Sequence, residues 1–132
     1  ENMRNLIDSC IQLILQAMAG HADDGVLQGW ACTALCHLTL SPASSQTMQT
    51  SLTTMAKEIH SAVLLVMGIH PMEESVQRNG CMGLWILSLH NVEYDANTYS
   101  ATIDALLNAL NTHPNNSDIY SVGLGAFHQI TA

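Results

Sequence analysis

The chain has 132 residues, of which 48% are apolar and only 11% are charged, with eleven acidic residues against three basic ones. This length is enough for one domain with its own core. Three basic residues cannot neutralise a run of phosphates, so the composition argues against binding of nucleic acid or of an anionic membrane surface. The apolar runs are far shorter than the roughly 20 residues of a transmembrane helix. We therefore expect no membrane insertion.

Three segments of the chain superpose without gaps. They are residues 11–39, 60–88 and 103–131. Their aligned histidines, His21, His70 and His113, recur at a spacing close to the roughly 40 to 47 residues of armadillo and HEAT units. We expect repeats at about 3–41, 46–90 and 97–132, together forming one domain over residues 1–132.

Each segment predicts two amphipathic helices, because its apolar residues recur at helical spacing. In the first segment, Ile14, Leu15 and Met18 mark one helix, and Leu27 and Leu35 mark the next. The second helix also carries two columns of small residues, in which glycine costs about 1 kcal/mol relative to alanine. These columns are Ala31, Gly80, Gly123 and Ala34, Gly83, Ala126. They predict close packing between helices.

The boundaries between helices carry turn signals. Pro71 and Pro114 follow the aligned histidines, and the residue before a proline resists the helical conformation. Acids and capping residues then open the second helix of each segment. Between repeats, residues 41–45 and 91–95 have loop composition. A short extra helix is predicted after each loop, near Gln46–Met55 and Asn97–Ala101.

The second repeat resembles a variant armadillo repeat found in large leucine-rich-repeat kinases. The resemblance rests on His70, Pro71, Val76, Gln77, Gly80, Cys81 and Leu84, and on His113, Pro114, Ile119, Gly123 and Phe127 of the third repeat. The first repeat keeps His21, Leu27, Gln28 and Cys32 but lacks the proline. The resemblance implies an all-α fold, an armadillo-type right-handed superhelix of about three repeats. It also implies three-helix units whose third helices line a concave groove. Because residues 130–132 stop on the last turn of a helix and neither terminus has a polar capping repeat, we expect the chain to be a fragment of a longer solenoid.

The chain departs from armadillo proteins that resemble each other in a Trp-x3-Asn pair on each third helix. The matching positions are Thr33 and His37, Met82 and Ile86, Gly125 and Gln129. An asparagine ladder for extended basic peptides is absent from this pattern.

No catalytic or metal-binding motif is present in the sequence. It contains neither a Gly-x-Ser-x-Gly elbow nor a His-Glu-x2-His box. Cys32, Cys36 and His37 could share one helix face as zinc ligands, but Cys32 recurs as Cys81 and Leu124, which favours packing. We expect histidines at helix ends to cap carbonyl groups. The predicted protein is therefore not an enzyme and has no metal and no cofactor.

The cysteines and the N-terminal sequence indicate the cellular compartment of the protein. Four cysteines in apolar surroundings are too few for a disulfide scaffold, and free cysteine usually behaves as a small buried hydrophobic residue. The N-terminal sequence has no pattern of a secretory signal. We expect an intracellular protein located in the cytoplasm.

The predicted function is that of a non-catalytic scaffold. Continuing the register of the third helices predicts an uncharged groove with Trp30, Met82, Ile86 and Val122 exposed and Trp30 as its strongest anchor. The predicted groove residues are Trp30, Thr33, His37, Asn79, Met82, Ile86, Val122 and Gln129. A protein or peptide with apolar side chains is the expected partner. The alternative is a structural segment of a large multi-protein assembly, and the oligomeric state is left open.

Overall fold

The computed structural model describes the backbone of residues 2–40, 45–89 and 94–132 and the side chains of residues 5–38, 55–89 and 94–132. Within these ranges the regular structure consists of six α-helices and no strand, which confirms the predicted all-α class. The helices are α1 Asn2–Gly20, α2 Gly25–Leu40, α3 Ser45–Ile69, α4 Glu74–Leu89, α5 Ala96–Thr112 and α6 Ser117–Thr131. Residues 41–44 and 91–93, which belong to two predicted loops, lie outside the described residues.

Short turns join the helices in pairs. Residues 21–24, 70–73 and 113–116 separate α1 from α2, α3 from α4, and α5 from α6, and the members of each pair pack on each other. We call these pairs hairpins 1, 2 and 3. The odd-numbered helices contact one another in the order α1, α3, α5, and the even-numbered helices in the order α2, α4, α6. Each hairpin therefore contacts the hairpin that follows it in the chain.

One apolar core runs through the three hairpins. The predicted inner stripe of the first helix in each hairpin is buried at Met18, Met67 and Leu110, which are equivalent positions. At another predicted position of the stripe Leu15 and Leu64 are half-buried, and the prediction is wrong for Leu107, which is exposed. Leu84 on α4 and Ile119 on α6 are fully buried on the facing helices. Their burial follows from the helical spacing of apolar residues, because that spacing places them on one side of each helix.

The predicted short extra helices do not exist as separate elements. Residues 46–55 belong to the continuous helix α3, and residues 97–101 belong to α5. Neither Gly nor Pro interrupts the sequence between Ser45 and Met67 or between Ala96 and Thr112, so nothing breaks the helix there. In the described residues each repeat therefore contains two helices, whereas the family resemblance implied three.

The turn of each hairpin is closed by similar hydrogen bonds. The amides of Asp24, Glu73 and Asn116 donate to the carbonyls of the aligned histidines over 3.0, 3.2 and 3.2 Å. The side chains of Asp24 and Asn116 also cap the next helix, since each accepts a hydrogen bond at 3.0 Å from the amide three residues on. The capping residues predicted from the sequence are thus in place at these two turns.

Two buried glutamines satisfy the carbonyls at the end of the first helix in hairpins 1 and 2. The Nε2 group of Gln28 donates to the carbonyls of Met18 and His21 over 3.1 and 2.7 Å. Gln77 donates in the same way to Met67 and His70 over 2.9 and 3.1 Å. Carbonyls at a helix C-terminus have no partner within the helix, so these bonds replace water at a buried end. Tyr120 occupies the equivalent position in hairpin 3.

The small-residue columns lie where the two helices of a hairpin approach closely. A Cβ atom at Gly80 would stand 2.6 Å from Cγ and Sδ of Met67 on α3. One at Gly123 would stand 2.9 Å from Cδ2 of Leu110 on α5. Both distances are too short for a carbon contact, which confirms the predicted close packing at these two positions.

We expect Gly80→Leu to lower the free energy of unfolding by about 1 to 3 kcal/mol, because the added side chain overfills the space taken by Met67. Gly68→Leu is the matched control, since a Cβ atom at Gly68 would meet no atom within 4 Å. Thermal and denaturant unfolding of both variants measures the difference. Equal stabilities would contradict the close approach of α3 and α4.

His60 is buried where α3 meets α5. Its Nε2 atom lies 3.0 Å from Oγ1 of Thr102, whose hydroxyl donates to the carbonyl of Thr98 over 2.7 Å. The single hydroxyl proton of Thr102 is used in the bond to Thr98, so the Nε2–H group of His60 donates to the Thr102 hydroxyl oxygen. The rings of His60 and Tyr94 lie 5.0 Å apart. Burial lowers the pKa of His60, because the charged imidazolium loses its hydration.

Stability should consequently fall in mild acid. Above the unfolded pKa of about 6.5 both states are neutral at His60. Below it the unfolded chain takes up a proton that the folded chain resists, so the free energy of unfolding drops by up to about 1.4 kcal/mol per pH unit. Urea unfolding between about pH 7 and about pH 5 measures this slope. We expect His60→Gln to flatten it, and the exposed His128→Gln to leave it unchanged.

Candidate protein-binding surface

The predicted groove residues lie on three helices that contact one another in series. Two are exposed, three are half-buried and three are buried. The exposed residues are Trp30 and His37, the half-buried ones are Thr33, Met82 and Gln129, and the buried ones are Asn79, Ile86 and Val122. The helices α2, α4 and α6 therefore carry all eight residues, but not all of them face solvent.

The expectation of an exposed apolar strip is wrong for Ile86 and Val122. Each even-numbered helix packs on the next one, so the side of the helix turned away from its own hairpin is partly covered by a neighbour. Ile86 lines an apolar pocket enclosed by α1, α2, α3 and α4, together with Leu35 and Cys36. Val122 is buried on α6, which packs on α4. Both residues contribute to the core rather than to a groove surface.

Asn79 connects α4 to α2 through hydrogen bonds. Its Nδ2 group donates to Oγ1 of Thr33 over 2.9 Å, and its Oδ1 atom accepts from the guanidinium of Arg78 over 3.1 Å. The backbone carbonyl of Asn79 lies 3.7 Å from Sγ of Cys36. A buried amide with these partners satisfies its polar groups inside the protein. Asn79 is therefore a structural link between helices and not a free ligand group.

Trp85, which the sequence pattern did not single out, connects α4 to α6. A Cβ atom at Gly125 would lie 2.6 Å from Cη2 and Cζ3 of the indole, so the ring rests against the helix backbone there. Only glycine permits this approach. A signal for this contact exists in the repeat alignment, where Gly125 is equivalent to Thr33 and Met82. A glycine inside a helix that faces a large aromatic residue on the neighbouring helix indicates a contact between repeats.

Four side chains on the three even-numbered helices, at or beside the predicted groove positions, are half-buried. We name Thr33, Met82, Trp85 and Gln129 the even-helix strip. All four residues of the strip are half-buried, and Met82 and Trp85 are three residues apart on one helix, which makes them neighbours. The strip contains no acidic or basic residue. It can offer apolar contact area and hydrogen bonds, but no ion pair.

His70 and His113 bond to different carbonyl groups from the ones that the sequence predicts. His70 places Nε2 2.6 Å from the carbonyl oxygen of Ala22, and His113 places Nε2 2.8 Å from that of Pro71. Each ring therefore donates to a backbone carbonyl, as expected, but that carbonyl belongs to the turn of the preceding hairpin rather than to its own helix. These bonds join hairpins 1 and 2, and hairpins 2 and 3.

The cysteines are not arranged as ligands or nucleophiles. In the described part of the chain no three His, Cys, Asp or Glu side chains converge as a metal site would require. Burial raises the pKa of Cys32 to about 12 and of Cys36 to about 11, and it raises the pKa of Cys81 to about 12. Thiols with such values stay protonated at neutral pH, whereas metal binding and nucleophilic attack need the thiolate.

Comparison with protein-family models, with curated proteins and with solved structures gives no match for this chain. Among the helices that the structure describes, none combines the length and the apolar character needed to cross a bilayer.

We expect the thiols to differ in reactivity. In the folded protein Cys10 is exposed and should react rapidly with a thiol reagent, while the three buried cysteines should react only as the protein unfolds. The Cys10→Ser variant should lack the fast phase, and urea should restore full labelling. Rapid labelling of Cys32 or Cys36 under native conditions would contradict their burial.

Proposed function

We propose that this chain is a non-catalytic scaffold for protein–protein interaction, built as an armadillo-type right-handed superhelix that binds a partner through the even-helix strip. The serial contacts of the odd-numbered and even-numbered helices support this architecture, because repeat proteins pack each unit on its neighbours. The repeated histidine bonds to the preceding turn support it as well, since equivalent units make equivalent contacts.

The observation that carries the proposal is the pair of large side chains, Met82 and Trp85, half-buried side by side on the central helix α4. Tryptophan dominates binding energy in many interfaces, and methionine adapts to partners of different shape. Trp85 is also held in place by its contact with the backbone at Gly125. A ring that is already fixed loses little conformational entropy when a partner docks.

The chemistry of the strip defines the class of partner. Without a charged residue in the strip, an incoming segment gains its binding energy by burying apolar side chains, with Gln129 available for hydrogen bonds. The hydroxyl of Thr33 already donates to the carbonyl of Gly29 and accepts from Asn79. Asn79 is already bonded to Thr33 and Arg78, so it does not serve as one rung of an asparagine ladder. A protein or peptide with apolar side chains is the proposed ligand, rather than an extended basic peptide.

A second candidate is a structural segment within a larger assembly. Large apolar side chains are exposed at both ends of the hairpin series, including Leu13 and Trp30 in hairpin 1 and Leu124 in hairpin 3. Exposed apolar patches of this kind mark contact surfaces. This observation favours additional packing at the ends, which is compatible with a binding strip along the side.

Selection of peptides from a displayed random library on the immobilised protein tests the proposed strip. We expect enriched peptides to carry aromatic or aliphatic residues, and Met82→Ser to weaken their binding about tenfold, the equivalent of about 1.4 kcal/mol. Binding should change less than about twofold between about 0.1 M and about 0.5 M salt, since no ion pair is formed.

Leu65→Ser is the matched control, because Leu65 is an exposed apolar residue on α3 and is not a member of the even-helix strip. Its substitution should leave peptide binding unchanged. Circular dichroism and thermal melts establish that both variants are folded. Selection of predominantly acidic or basic peptides, or an equal loss of binding in the two variants, would contradict a binding site at the strip.

A further inference from the structure

Equivalent residues of the three hairpins differ in exposure at the N-terminal end of the series. The repeat alignment places Trp30, Asn79 and Val122 at one position. Asn79 and Val122 are 8% and 7% exposed, because α4 packs on α2 and α6 packs on α4. Trp30 is 71% exposed, since no described helix covers the corresponding side of α2. The side of the even-numbered helix that carries this position is therefore covered by a neighbouring helix in hairpins 2 and 3 but not in hairpin 1.

The complementary difference occurs at the C-terminal end. Cys32, Cys81 and Leu124 are equivalent in the alignment and are 2%, 0% and 54% exposed. Cys32 lines an apolar pocket to which Asn79 and Ile86 of α4 contribute, and Sγ of Cys81 lies 3.9 Å from the position of a Cβ atom at Gly123 on α6. Each of these cysteines therefore faces the even-numbered helix that follows. Leu124 on α6 is the uncovered equivalent.

The odd-numbered helices show the same pattern. Leu13 on α1 is exposed, whereas its equivalents Ala62 and Ala105 are half-buried. On the other side of the series, Leu107 on α5 is exposed, whereas its equivalents Leu15 and Leu64 are half-buried. We name the exposed side of hairpin 1 the leading face and the exposed side of hairpin 3 the trailing face. Their members are Leu13, His21 and Trp30 for the leading face, and Leu107, Pro114 and Leu124 for the trailing face.

The polar contacts between hairpins have counterparts on these two faces. His70 donates to the carbonyl of Ala22, and His113 donates to the carbonyl of Pro71. In the alignment, His21 is equivalent to the two donors and Pro114 to the two acceptors. Both residues are exposed, one on each face. The leading face therefore carries the donor, and the trailing face the acceptor, of one more bond of the same kind.

We propose that the leading face of one copy of this chain docks on the trailing face of a second copy and repeats the contact that joins successive hairpins. Trp30 then occupies the place that Asn79 and Val122 take within the chain, next to α6 of the other copy, and covers Leu124. The imidazole of His21 donates to the carbonyl of Pro114. The argument for a second copy is continuity, because each face is one half of an interface that the chain already forms twice.

The named members of the two faces include no acidic or basic residue, and buried interface centres are typically depleted of charge. Beside them, Asp24 is equivalent to Glu73 and Asn116, which contact the preceding hairpin at Gly25 and Glu74, so one carboxylate of the docked copy would lie next to Ser117. At long range the copies repel each other, since each has a formal net charge of −8. Salt screens this repulsion. Association through the two faces should therefore become stronger, not weaker, as the salt concentration rises.

The two faces are different surfaces, so the contact is heterologous. Such contacts produce open chains of copies unless the rotation closes a ring, whereas a twofold contact would stop at a dimer. The average mass should accordingly keep rising with protein concentration. The even-helix strip is not part of either face, so Met82→Ser should leave self-association unchanged. A failure of peptide binding and a failure of self-association are thus separate results.

Sedimentation velocity between about 1 µM and about 100 µM tests the proposal. We expect Trp30→Asp and Leu124→Asp each to weaken self-association at least about tenfold. Mixed together, the two variants should form a one-to-one heterodimer, because the intact leading face of one meets the intact trailing face of the other. His21→Ala should weaken association about three- to tenfold through loss of one hydrogen bond.

Leu65→Asp is the control, since Leu65 is equally exposed to solvent but lies in hairpin 2, outside both faces. It should associate like the unmodified chain. Leu13→Asp provides a second change on the leading face in case the Trp30 variant does not fold. A monomeric chain over the whole concentration range would overturn the proposal and leave the faces to a different protein. Equal self-association of each variant alone and in the mixture would also overturn it.

Discussion

The packing of each even-numbered helix on the next determines which side chains this protein can present. A single helical hairpin buries one side of each helix and leaves the other in water. In this chain α2, α4 and α6 contact one another, so part of that second side is buried as well. Asn79, Ile86 and Val122 are lost from the surface for this reason. The side chains of Thr33, Met82, Trp85 and Gln129 stay half-buried, and large apolar side chains stay exposed on hairpins 1 and 3.

Hydrogen bonds at the turns fix how far one hairpin is shifted along the next. Apolar contact alone tolerates sliding of one hairpin along another, but a hydrogen bond is sensitive to distances of a few tenths of an ångström. The hydrogen bonds from His70 and His113 join the turn of each hairpin to the turn of the preceding hairpin. Within hairpins 1 and 2, the side chains of Gln28 and Gln77 donate hydrogen bonds to the carbonyls at the end of the first helix. Buried carbonyls without such partners would cost about 1 to 3 kcal/mol each, which makes the register specific.

Much of the fold could be predicted from the sequence, because its signals are local. Helical spacing of apolar residues predicts the helices, and the columns at Gly80 and Gly123 predict where two helices approach. The accessible site was predicted less well. The period of one helix indicates which side is apolar, but it does not indicate whether a neighbouring hairpin covers the other side. Ile86 and Val122 were misplaced for that reason, and Trp85 was missed because its partner, Gly125, lies on a helix of another hairpin.

The strip and the end faces are geometrically coupled. Copies that dock head to tail place α6 of one beside α2 of the next, so Gln129 of one copy approaches the strip of the following copy. A partner segment longer than one strip then contacts two copies at once, and its second contact occurs at high effective concentration. By thermodynamic linkage such a partner strengthens docking by the same factor by which docking strengthens its own binding. The low charge of the chain suits both contacts, since apolar burial supplies the energy in each.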